Sequence, residues 1–161
     1  MMFQKILVAL DRSPLAPLVF EHGLQLASKY NGNLLLTHCI DLKVWENIGS
    51  IVDASFGLTP SSKLQQFEQE HLQEIEQCRQ WLEAYSQQAI AQDVTVEFNC
   101  GRGEAGSWIC NLARNWGTDL IVVGHREKQR LQKFLLGSVS QYVLNHASCC
   151  VLLVQTEKKL S

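Results

Sequence analysis

The sequence predicts an α/β fold: a parallel five-stranded sheet with helices on both faces. Three observations predict it. Short apolar runs alternate along the chain with segments whose apolar residues recur at helical spacing. The runs LLLTHCI at 34–40, DLIVV at 119–123 and CVLLV at 150–154 are nearly unbroken, as strands covered on both faces require. The length of 161 residues suits one domain, and at that size a fold buries roughly 70% of the surface its unfolded chain exposes.

The elements follow in order. Residues 3–10 (FQKILVAL) form the first strand. Asp11-Arg12-Ser13-Pro14 then starts a helix, with Ser as cap and Pro where an N–H is not needed. Leu15, Leu18, Val19, Leu26 and Ala27 make its apolar face, and Asn31-Gly32-Asn33 ends it. The second strand is 34–40. Residues 41–60 have no clean period and contain Gly and Pro, so they read as a long loop, in which Trp45 is placed to cover a pocket or meet a partner. Residues 61–89 form the longest helix, with Leu64, Phe67, Ile75, Cys78, Leu82 and Tyr85 on one side and Glu and Gln on the other. Without consistent Leu at heptad spacing, it is one amphipathic helix covering the sheet rather than a coiled coil. Residues 94–99 (VTVEFN) alternate as a third strand. Residues 105–116 form a helix with Trp108, Ile109, Leu112, Ala113 and Trp116 together. The fourth strand, 119–123, runs directly into Gly124. A short helix over 138–145 turns Val139, Tyr142 and Val143 inward, and 150–154 is the fifth strand. Residues 1–156 make a single domain and 157–161 a frayed tail.

Composition narrows the function. Apolar residues make up 46% and charged residues 19%, which excludes a disordered chain. The net charge of −2 argues against binding nucleic acid or an anionic membrane by charge. No apolar run approaches the roughly 18 residues of a membrane span. The opening MMFQKILVALDRS has one Lys followed by an acid and makes a poor signal peptide, so a cytoplasmic protein with reduced thiols is expected. The six cysteines include no CxxC pair, and spacing gives no disulfide framework. Cys149 and Cys150 are neighbours on a strand and point to opposite faces, so they cannot easily share a metal with His146.

A sheet of this kind binds ligands beyond the carboxyl ends of its strands, where the winding direction reverses. With the first strand beside the fourth, that crevice is flanked by Asp11 and Gly124. The segment 124–140, GHREKQRLQKFLLGSVS, has the makings of an anion site. Gly124 follows a buried strand, and His125 and Arg126 lie in a basic loop with Lys128, Arg130 and Lys133. Gly137-Ser138 then opens a helix, whose first N–H groups and dipole favour negative charge. Gly137 allows close approach to the backbone, and Ser138 and Ser140 add hydroxyls. An ordinary turn with a Ser cap and a solvated basic loop is the alternative on patterning alone. His38 reads as a packed, hydrogen-bonded residue rather than a catalyst, and Cys39 as a small apolar wall.

The whole chain resembles the universal stress protein family. The resemblance rests on ILVALDRSP at the first strand, on His38-Cys39-Ile40-Asp41, on DLIVVG at 119–124 and on GSVSQYVLNHASCCVLLVQ. It rests most on the family's nucleotide signature: Gly, two residues, Gly, nine residues, Gly, then Ser or Thr. Here that signature is Gly124, His125-Arg126, Glu127, nine residues, and Gly137-Ser138. The resemblance implies a three-layer α/β/α, Rossmann-like fold with strand order 3-2-1-4-5. It implies ATP in the crevice, with AMP a second candidate, and Mg²⁺ or Mn²⁺ only together with nucleotide. By position, Ala9 and Asp11 would lie near adenine and ribose, and Cys39 against adenine. Gly124, Arg126, Gly137, Ser138, Val139 and Ser140 would surround the ribose and phosphates.

Glu127 departs from the signature. If its backbone must be left-handed, the side chain costs about 1–2 kcal/mol, roughly a 5- to 30-fold loss of affinity. Two functions therefore compete. One is a nucleotide-binding stress-response or signalling module acting through protein contacts, with at most slow ATP hydrolysis, since no catalytic pair flanks the glycines. The other is an interaction protein of the same fold whose site Glu127 has closed or weakened. The fifth strand would be an exposed edge, so a homodimer through residues 151–154 is expected, alongside protein partners the sequence does not identify.

Overall fold

The computed structural model describes residues 3–41, 61–125 and 137–156. Its centre is β1 (Lys5–Ala9), which pairs in parallel with β2 (Asn33–Ile40) on one side and β4 (Leu120–Gly124) on the other. β3 (Val96–Arg102) adds to β2 and β5 (Cys150–Val154) to β4, giving the expected order β3-β2-β1-β4-β5 with every pair parallel. β1 is buried by neighbours on both edges and helices on both faces, so Ile6, Leu7 and Val8 are fully buried.

The alternation of strand side chains sorts the core into two layers. Ile6, Val8, Leu34, Leu36, Leu120 and Val122 face α1 (Ala16–Tyr30) and α2 (Ser61–Ile90). Leu7, Leu35, Ile121 and Val123 face α3 (Ala105–Trp116) and α4 (Ser138–His146). Helix α2 lies on β2 and β3 through Ile75, Cys78, Leu82, Tyr85 and Ala89, and Arg79 bridges Glu76 and Glu83 on its solvent side. On the other face the Trp108 indole N–H donates to the Thr37 hydroxyl at 3.0 Å, which donates to the Asn99 carbonyl at 3.0 Å. The buried hydroxyl of Thr37 is thereby satisfied as donor and acceptor.

Three local readings change. Helix α1 starts at Ala16, not at Ser13-Pro14, because the Asp11 carboxylate takes both the Ser13 amide and its hydroxyl and folds these residues into a turn. Pro17 occupies the first helical turn instead. The third strand runs from Val96 to Arg102 rather than over 94–99. Asp93 adopts φ 58°, and the Val94 amide donates to the Ala89 carbonyl, so Val94 plugs the end of α2. Val139 is 37% exposed rather than inward, whereas Val143 is fully buried. The loop expectation for 42–60, Trp45 included, and the frayed tail lie outside the described residues.

Gly23 of α1 faces β1, and a Cβ there would sit 2.4 Å from Val8 Cγ2. Helix propensity alone favours Ala over Gly by about 1 kcal/mol, but overpacking a closed core costs about 1–3 kcal/mol. Gly23→Ala is therefore expected to lower the urea midpoint, by up to about 2 kcal/mol of stability. An unchanged or raised midpoint would contradict this packing.

Candidate functional site

The strand order reverses between β1 and β4. The chain leaves β1 for α1 on one face and leaves β4 for α4 on the other, so a crevice opens above their carboxyl ends. A cavity of about 530 Å³ lies there, within the range of about 300–1,000 Å³ usual for small-molecule sites. Eight of the ten sequence-predicted site residues line it: Ala9, Asp11, Cys39, Gly124, Gly137, Ser138, Val139 and Ser140. His125 is not among the lining residues; its amide donates to the Val154 carbonyl at 2.8 Å and extends the β4–β5 ladder. Arg126 and Glu127 lie outside the described residues.

The two described signature glycines have different physical reasons. At Gly124 a Cβ would meet Leu15 Cδ2 at 2.9 Å and Val19 Cγ2 at 3.0 Å, so its bare Cα lets α1 close over the end of β4. Gly137 has φ −59° and ψ 154°, which any residue adopts. Its nearest neighbour for a Cβ is the Ser140 hydroxyl at 3.8 Å, an ordinary contact. Neither backbone strain nor packing among the described residues requires glycine there, and the open space faces the cavity.

Gly137 is the N-cap of α4, and among the described residues no side chain caps this helix. Its first intrahelical bond runs from the Gln141 amide to the Gly137 carbonyl, leaving the amides of residues 138–140 at the positive end of the dipole. The buried Ser140 hydroxyl donates to the Gly124 carbonyl at 3.0 Å and ties α4 to the end of β4.

The opposite end of the cavity is built from β1, β2 and α2 and carries carboxylates at Asp11, Asp41 and Glu74. Asp11 Oδ1 holds the turn by accepting from the Ser13 amide at 3.0 Å. Arg12 also lines this end, its Cζ 4.3 Å from the centre of the Trp81 ring. The His38 ring meets Trp81 edge-on at 5.4 Å, and its Nδ1 lies 2.8 Å from the Leu10 carbonyl. A carbonyl only accepts, so Nδ1 carries the proton. Cys39 contacts the Gly103 carbonyl at 3.5 Å, and burial, with Asp41 adding, pushes its thiol up to about 11. That is an inert wall rather than a nucleophile. Arg12, His38, Asp41 and Glu74 were not singled out as site residues from sequence; only tertiary packing brings α2 to the crevice. Among the described residues no group of three or more His, Cys, Asp or Glu could hold a metal ion, and no helix is long and apolar enough to cross a membrane.

Comparison with known proteins gives one consistent result. The model of the universal stress protein family matches residues 2–155. A universal stress protein of Synechocystis is 38% identical over 159 residues, covering 95% of this chain and 98% of the relative. Among solved structures, the hypothetical protein MJ0577 superposes with a TM-score of 0.75 at 24% identity, over 99% of this chain and all of that one. A universal stress protein in complex with cAMP gives a TM-score of 0.63 at 20% identity, covering 96% of this chain and 98% of the other. At these identities the structural matches establish the fold.

Burial lowers the His38 pKa from its ordinary 6.5, outweighing the hydrogen bond to Leu10, which raises it. Folding thus favours neutral imidazole. The resulting stability is complete above the unfolded value of about 6.5 and is lost as pH falls through that value toward the lower folded one. His38→Asn, which keeps a donor for Leu10, is expected to flatten the decline of the unfolding midpoint between neutral and mildly acidic pH. Parallel profiles for the two proteins would contradict a buried neutral histidine.

Proposed function

This chain belongs to the universal stress protein family, and on that premise we propose that it is a nucleotide-binding stress-response module acting through protein contacts, with ATP in the crevice. The single observation that carries the reading is Gly137. It is a glycine at the N-terminus of α4, which no described side chain caps, facing a cavity of suitable size, where neither the backbone nor the packing of the described residues calls for glycine. A phosphate needs such a place, with close approach to free amides at the positive end of a helix dipole. The polarity of the cavity gives the orientation. Phosphates belong over α4, away from Asp11, Asp41 and Glu74, and the nucleoside lies toward Ala9, Asp11 and Cys39, whose carboxylate and apolar walls suit a ribose and a base. By its place in the signature, Arg126 would add positive charge to the phosphate side. A divalent cation would arrive with the phosphates, since the described residues offer no cluster to hold one alone.

AMP and cAMP are the comparison ligands, the second because a structural neighbour is described in complex with it. The alternative function, an interaction protein without nucleotide, is favoured by one observation: Glu127 stands at the signature's second glycine. In either reading the protein works in the cytoplasm as a homodimer. β5 is a sheet edge with half-buried Val151, Leu152 and Leu153, and pairing with a second copy would cover it.

Calorimetry of the nucleotide-stripped protein with ATP and Mg²⁺ is expected to show saturable binding, one per chain. Gly137→Val should weaken it at least about tenfold, or about 1.4 kcal/mol, with little change in melting temperature, while Glu127→Gly should tighten it about 5- to 30-fold. A folded protein that gives no heat with ATP, AMP or cAMP would overturn the nucleotide reading in favour of the alternative. Sedimentation at micromolar protein should give a dimer mass; a monomer mass at every concentration would overturn the edge pairing.

A further inference from the structure

Cys78 and Cys100 come from different layers of the fold and meet beside the crevice. Cys78 lies on the sheet-facing side of α2 and is 1% exposed; Cys100 lies on the edge strand β3 and is half-buried. Their sulfurs are 2.7 Å apart across a separation of 22 residues. Both side chains are anchored. Cys100 pairs in register with His38 on β2, and Cys78 stands one helical turn before Trp81, whose ring meets His38 edge-on. Spacing in the sequence gave no hint of this pair, since it is made by docking the helix on the strand.

We propose that Cys78 and Cys100 are a reversible dithiol–disulfide site, oxidised by hydrogen peroxide, that staples α2 to β3 behind the carboxylate end of the crevice. The two sulfurs already face each other in contact, which a disulfide requires and cysteines that point apart do not offer. The order of events follows from their surroundings. Burial, with the contact to Cys100 adding, raises the Cys78 thiol above its ordinary value, so it stays protonated and shielded. The half-buried Cys100 is the sulfur a peroxide can reach. Its thiolate attacks one peroxide oxygen; an S–O bond forms, the O–O bond breaks, and the leaving oxygen departs as hydroxide and is protonated to water. Cys78 sulfur then attacks the Cys100 sulfenic acid. An S–S bond forms, the S–O bond breaks, and the departing hydroxide takes the Cys78 proton as a second water. Two electrons pass from the two sulfurs to the peroxide. A dithiol such as dithiothreitol returns them and restores both thiols.

The site is independent of nucleotide binding, so its test needs no nucleotide. The full-length reduced protein is treated with hydrogen peroxide, denatured in alkylating reagent, and mapped by proteolysis under non-reducing conditions. We expect a peptide linking Cys78 to Cys100, the loss of both from the alkylated thiols, reversal by dithiothreitol, and a higher melting temperature for the oxidised form. In Cys78→Ala, Cys100 should stop at a sulfenic acid that dimedone traps; in Cys100→Ala, Cys78 should remain a free thiol. If either variant fails to fold, the wild-type map decides. Cys78 still alkylated as a free thiol after the exposed Cys150 has been oxidised, or Cys100 driven to sulfinic acid without pairing, would overturn the proposal.

Discussion

The structure depends on the placement of β1 between β2 and β4. Both neighbours run parallel to it, so all five strands end at the same edge of the sheet. Parallel strands require crossovers, and the chain makes them on one face through α1 and α2 and on the other through α3 and α4. The segments leaving β1 and β4 must therefore part, and the crevice is the space between them. Its floor is rigid because Ile6, Leu7 and Val8 have no exposed surface and are held between two core layers. Cavity, helix terminus and flanking carboxylates all follow from this arrangement rather than from any one loop.

Within the crevice, similar residues serve different ends. Gly124 is bare so that α1 can close over the end of β4, whereas Gly137 is bare toward the cavity. Ser140 ties the two elements together through the Gly124 carbonyl, and Asp11 folds the turn that sets where α1 begins. The binding surface and the supports beneath it are thus made partly of the same side chains. A polarised cavity results, with the first amides of α4 over β4 and carboxylates over β1 and β2. That is the arrangement a nucleotide would use, and under the alternative reading the same surface is a concave, polar feature for a protein contact.

Most of the fold was legible because the three central strands are buried on both faces and read as unbroken apolar runs, while the edge strand β3 alternates. The residues at strand ends could be placed because a parallel sheet puts its strand ends at one edge, and the family resemblance supplied the strand order. What could not be read depends on side chains meeting across layers. The Asp11–Ser13 contact moved the start of α1 past Pro14. The end of α2 drew Val94 out of the third strand, because a left-handed Asp93 turns the chain there. Arg12 over Trp81, Glu74 at the cavity rim and the contact of Cys78 with Cys100 all depend on how α2 lies on the sheet. Periodicity shows that such a helix has an apolar face, not which strand residue each position meets.

The central claim is that ligand chemistry happens above β1 and β4, with negative charge over the N-terminus of α4. An NMR titration of ¹⁵N-labelled protein with ATP and Mg²⁺ addresses it residue by residue. The account predicts that the largest amide shifts fall on residues 137–140, with a second group at 9–11, and that the amino ends of the strands stay still. Shifts confined to the opposite edge of the sheet or to the solvent face of α2, with residues 137–140 unmoved, would contradict it.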